Sequence, residues 1–230
     1  MSDTITAYRF FDIKGGNIIS CQSWHSPNKA FVWPPPNNGK PGEWVKHDGE
    51  ILLHETRMYA SPTIAHALKC RQALELGRVE IRNIVGRNEF VLYPKEIRIV
   101  RMFPRVYLIA IAVLAAKSVL KIHETKYPDD ERPRRAINET IEKLVGKCDP
   151  EAAHIAGNAV WYAADAYSNN AYAASCASNS AVYPYGDHSV SANVFVDSRK
   201  EWLTKFNADA ELLLSIPESG LMSYIRAIPA

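Results

Sequence analysis

The rhythm of apolar and polar positions changes near Pro104. Ahead of it, β-branched and aromatic residues come in short runs punctuated by Gly, Pro and Asn, and several alternate with the period of two expected of strands with one wet face. Ile5-Thr-Ala-Tyr-Arg-Phe-Phe11 predicts a first strand, and Gly15-Gly16-Asn17 a hairpin turn after it. Ala30 to Trp33, Trp44 to Val45 and Glu50 to His54 are further short strand candidates. Between them, Pro34-Pro-Pro-Asn-Asn-Gly-Lys-Pro-Gly42 has no apolar period and few backbone donors, which predicts an exposed loop of polyproline character. Ser61-Pro62 predicts a helix start, with a hydroxyl capping free amides and proline in the first turn; the helix then runs through Ile64, Leu68 and Leu74 until Gly77 closes it. Three strands are expected next: Arg78 to Ile84, Glu89 to Tyr93 and Glu96 to Met102.

Beyond Pro104 the period lengthens. Val106 to about Lys126 is apolar on all sides at its start, as a central helix shared by several neighbours must be. Tyr127-Pro128 ends it, because the residue before proline avoids helical geometry. Asp129 and Asp130 then set carboxylates beside the free amides of a second helix whose stripe is Ile137, Ile141 and Leu144. Asp149-Pro150 opens a third, with alanines recurring from Ala152 to Ala181 near a helical period, a seam that lets helices approach closely. A last long helix carries Phe195, Trp202, Phe206, Ala210 and Leu213, and Pro217 to Gly220 separates it from a short amphipathic tail. The expected class is therefore α+β: an antiparallel β-rich domain with one helix over 1–103, and over 104–230 a bundle of about four helices with an alanine-rich seam.

Composition narrows the functions. A chain of 230 residues, 47% hydrophobic and 23% charged, buries a real core. Its net charge of +2 gives little support to a nucleic-acid partner, since Arg132, Arg134 and Arg135 stand beside Asp129, Asp130 and Glu131. Cys21, Cys70, Cys148 and Cys176 are too far apart for a zinc ribbon or a disulfide framework, and read as free thiols in the cytoplasm. The start of the chain lacks the basic-then-apolar layout of a secretion signal. The longest apolar run, Val106 to Ala116, falls short of the ~20 residues of a membrane span.

Phosphate-loop, dinucleotide-glycine, H-E-x-x-H and G-x-S-x-G signatures are missing from the sequence. The seven histidines are scattered, and His47 and His54 have no acidic or cysteine ligand at convincing spacing, so no metal site is expected. Asp165 stands among Ala163, Ala164 and Ala166 and needs a partner if it faces the seam. Asn169 and Asn170 either line a polar surface suited to a partner or solvate the outer face; the other candidate partner contacts are Asp165, the pair Asp129 and Asp130, which also reads as the capped start of a helix, and Arg132 and Arg134, which also read as solvated charge.

Two resemblances add functional content. Tyr8-Arg9 on a first strand, Tyr59-Ala60-Ser61 before a helix and Glu80 on a later strand follow the order of ADP-ribosyltransferase-like folds, without a second serine-threonine motif around Ser61. That resemblance implies Arg9 on the phosphates of NAD, Ser61 framing the nicotinamide and Glu80 orienting a nucleophile. From the residues alone, Arg9 reads as an exposed strand charge, Ser61 as a helix cap and Glu80 as a sheet-face partner.

The stretch from about Pro104 to Leu214 resembles immunity proteins found beside polymorphic toxins and in phage or mobile-element genomes. It does so through Ala115-Ala116, the link Tyr127-Pro-Asp-Asp-Glu-Arg-Pro-Arg-Arg-Ala-Ile137 and the alanine-dense segment that follows. The front half, through Ala7-Tyr-Arg-Phe-Phe11 and Met58-Tyr-Ala-Ser61, looks like a small domain of phage-encoded proteins. These resemblances imply a non-enzymatic immunity or anti-defence protein, cytoplasmic and without a cofactor, that binds and blocks a protein effector or toxin. A structural phage protein assembling as a homo-oligomer and an NAD-binding enzyme are the alternatives.

Overall fold

The computed structural model describes residues 3–20, 31–49, 51, 58–69, 75–126, 128–129, 131–146 and 200–229. The chain divides into two compact units, Met1–Pro104 and Arg105–Ala230.

Among the described residues, the first unit holds a six-stranded antiparallel sheet in the order β3-β2-β1-β5-β6-β4. Strand β1 (Ile5–Lys14) turns through Gly15 and Gly16 into β2 (Asn17–Ile19). Both glycines have positive φ, +58° and +78°, as a two-residue turn matching the strand twist requires. The sheet continues with β3 (Val32–Trp33), β4 (Val45–Lys46), β5 (Glu75–Arg87) and β6 (Leu92–Phe103). The β5–β6 turn is held by Asn88, whose side-chain carbonyl accepts the amides of Phe90 and Val91 at 2.9 and 2.8 Å.

Two residues nearly close this sheet on itself. The Ser61 backbone exchanges hydrogen bonds of 2.7 and 2.8 Å with Tyr8 of β1, and Ala60 exchanges 2.8 and 3.0 Å bonds with Leu92 of β6. The path β1–β5–β6 therefore returns to β1 through Ala60 and Ser61. Bulges in the β5–β6 pairing, at Arg78/Val79 and at Ile84/Gly86 opposite Pro94, supply the curvature, and the second falls where proline has no amide to donate. Ala7, Phe11, Trp33, Val79, Ile81, Ile97 and Ile99 form the interior.

Several sequence expectations are corrected here. The α+β class, with an antiparallel domain beside a bundle of about four helices and an alanine-rich seam, gives way to a nearly closed, barrel-like antiparallel sheet with, among the described residues, five short helices; the alanine-rich stretch lies outside the described residues. The two strands expected over Glu89–Tyr93 and Glu96–Met102 are one strand, because Pro94 sits at a bulge and does not break the ladder. Helix α1 (Ile64–Lys69) starts later than expected, with the Thr63 hydroxyl accepting the His66 amide at 3.2 Å, while Ser61 serves the sheet. Gly77 belongs to β5 and closes no helix.

In the second unit α2 (Arg105–Lys126) begins directly after Pro104 and is buried from Tyr107 through Lys117. It packs against α3 (Arg132–Gly146), α4 (Lys200–Ser215) and α5 (Glu218–Ala227). The buried faces carry Ile137 and Ile141, then Phe206, Ala210 and Leu213, then Leu221 and Ile225, each at helical spacing. The Tyr107 hydroxyl donates to the Ile216 carbonyl at 2.7 Å, fixing the turn between α4 and α5. Gly220, expected in a separator, lies inside α5. No helix among the described residues is long and apolar enough to cross a membrane.

Candidate functional site

Inside the barrel, Arg9 follows the parity of Ala7 and Phe11 and is 2% exposed. Its guanidinium carbon lies 4.2 Å from the centroid of the Tyr59 ring, 4.9 Å from Trp33 and 5.5 Å from Phe11. It donates to the Tyr59 carbonyl at 2.7 Å and to the Ser20 hydroxyl at 3.5 Å, and the same hydroxyl accepts from Trp33 Nε1 at 2.7 Å. A desolvated guanidinium over aromatic faces gains about 2 kcal/mol per good contact, which with the hydrogen bonds offsets part of its desolvation. Opposite it in the ladder is Gly77, where a Cβ would stand 2.7 Å from the Phe11 ring and 3.0 Å from Met102 Sδ. The arginine cage and the glycine are one packing solution.

The outer face of the same strands carries a different pattern. Register places Glu80 opposite Arg98 and Arg82 opposite Glu96. Glu80 Oε2 accepts from Arg98 Nε at 2.6 Å, and Glu96 accepts from Asn83 at 2.8 Å. Trp44, just ahead of β4, is stacked by both arginines, with Arg82 3.5 Å and Arg98 4.6 Å from its ring centroid. Further along, Arg78 and Arg101 lie over Phe103 at 5.7 and 4.9 Å, and Arg78 donates to the Tyr8 hydroxyl at 3.3 Å. Glu80, Arg82, Glu96, Arg98 and Trp44 thus share one half-buried surface, whereas Tyr8 and Phe103 are fully buried. The alternating arginines of β6 were legible in the sequence; the place of Trp44 above them was not, because it depends on the pairing of Val45 with Ile97.

The residues singled out from the sequence are dispersed. Arg9 is not an exposed strand charge: both faces of β1 are covered, so alternation alone could not reveal its burial. Glu80 engages Arg98 on the outer face, while Arg9 points inward and Ser61 is committed through its backbone to Tyr8. Arg9 and Glu80 occupy opposite faces of one sheet and do not converge on a common ligand. In the second unit Asp129 is exposed in the turn between α2 and α3. Arg134 is exposed and held by Glu124 of α2 through bonds of 2.6 and 2.7 Å, a hydrogen-bonded pairing that keeps its guanidinium above its ordinary pKa. The Arg132 backbone opens α3, and its side chain, like Asp130, Asp165, Asn169 and Asn170, lies outside the described residues. Among the described residues no group of His, Cys, Asp and Glu could hold a metal ion.

Comparison with protein-family models, with curated proteins and with solved structures finds no match.

Proposed function

We propose that this is a binding protein that blocks a protein effector by docking it on the outer arginine–tryptophan face of the barrel, the mode of action of an immunity or anti-defence protein. The observation that carries this reading is the stack of Arg82 and Arg98 on Trp44. Tryptophan and arginine are the side chains in which interface energy concentrates, and here they are held rigid before any partner arrives. Glu80 and Glu96, interleaved with the arginines, disfavour a polyphosphate backbone and favour a protein surface of complementary alternating charge.

Affinity isolation with the wild-type chain and with Trp44→Ala and Arg98→Glu tests this. One stoichiometric protein, retained by wild type, lost by both variants and inactive while bound, supports the reading. Equal retention by the variants, nuclease-sensitive retention, or concentration-dependent self-assembly without a partner overturns it.

A further inference from the structure

The second unit contains a cleft of about 460 Å³. Helix α2 lines it with Leu114, Lys117, Ser118 and Lys121, the spacing of one helical face. Helix α4 adds Lys205, Phe206 and Asp209, and the end of α5 adds Tyr224 and Ile228. Cavities of this size accommodate metabolite-sized ligands.

Its chemistry is asymmetric. Lys117, only 8% exposed, donates to the carbonyls of Ile225 and Ile228 at 3.2 and 2.6 Å, in the last turn of α5. An ammonium has three donors, and the described residues take up two of them. Lys121 and Lys205 are exposed at the mouth, and among the described residues Asp209 is the one carboxylate of the lining. Burial, with the charge of Asp209 acting in the same direction, pushes the Tyr224 phenol up, so it stays protonated as a further donor. Among the described residues, three cationic groups and a phenol against one carboxylate select an anion, while Leu114, Phe206 and Ile228 offer it an apolar bed.

We propose that this cleft binds an amphipathic monocarboxylate, with its carboxylate among Lys117, Lys121 and Lys205 and its apolar chain against Leu114 and Phe206.

Calorimetric titration of the full chain with octanoate and with octan-1-ol is the test. Octanoate binds at one site, and octan-1-ol, lacking the charge, binds about tenfold more weakly or worse. The double variant Lys121→Glu/Lys205→Glu, altered only at exposed positions, loses about tenfold in octanoate affinity and leaves octan-1-ol unchanged. Absence of octanoate binding, equal affinity for acid and alcohol, or an unaffected double variant overturns the proposal; the acid–alcohol comparison decides it with the wild-type chain alone.

Discussion

Arg9 shows how far a single residue's environment can depart from its local pattern. Its neighbours on β1 are buried on both faces, and the guanidinium sits among Tyr59, Trp33 and Phe11 with the Tyr59 carbonyl as acceptor. Arg9→Ala leaves a cavity between three rings and strips that carbonyl of its donor, and should cost about 3 kcal/mol in urea unfolding. Arg9→Met, which refills most of the volume with apolar atoms, should cost less than half as much. A loss as large for Met as for Ala would show that the charge dominates over packing. Gly77 tests the same cage from the other strand. A methyl group there meets the Phe11 ring, which is itself boxed in by Trp33, so Gly77→Ala should destabilise by about 2 kcal/mol in thermal unfolding, although alanine is the better residue in an ordinary strand. No local signal in the sequence separates this glycine from a helix terminator; only the approach of Phe11 and Met102 does.

At the scale of elements, helix α5 depends on Lys117 of α2 to close its last turn. Burial lowers the Lys117 pKa, and the charge of Arg134 on α3 lowers it further. With its folded-state value below its unfolded value, the unfolded chain binds more protons between the two. The penalty is therefore full below the folded-state value and is relieved as pH rises towards the ordinary lysine value of about 10.4. In Lys117→Met that relief disappears along with the two hydrogen bonds. Wild-type stability, measured by denaturant unfolding from pH 8 to 10, should therefore gain on the variant as pH rises; Asp209, Lys121, Lys205 and Tyr224 surround the site in both proteins and largely cancel in the difference. A difference that is flat or falls with pH would contradict the buried-charge account. Helices α3 to α5 were legible because each has a face of the right period, and α2 because it is apolar on all sides at its start; α1 was misplaced because Ser61 and Thr63 are both plausible caps, and strand pairing with Tyr8 decided between them.

For the molecule as a whole, the balance of charge sets colloidal behaviour more than fold. The net charge of +2 passes through zero near pH 8.3, so the repulsion between copies read from light scattering should be weakest near that pH and stronger at pH 6.5 and above 9.5, without a defined oligomer forming. Association that increases monotonically with pH would instead point to a particular deprotonating group. The sequence by itself determined the change of period at Pro104, the β1–β2 turn at Gly15-Gly16 and the apolar faces of the helices, because these follow from residue spacing and backbone freedom within a few positions. Tertiary structure alone decided that the sheet curls until Ala60 and Ser61 join β6 to β1, that Arg9 is enclosed while Glu80 faces outward, and that Trp44 rests on two arginines. Each of those depends on which distant backbone edges meet, and hydrogen bonds between edges far apart in the chain leave no period behind in either one.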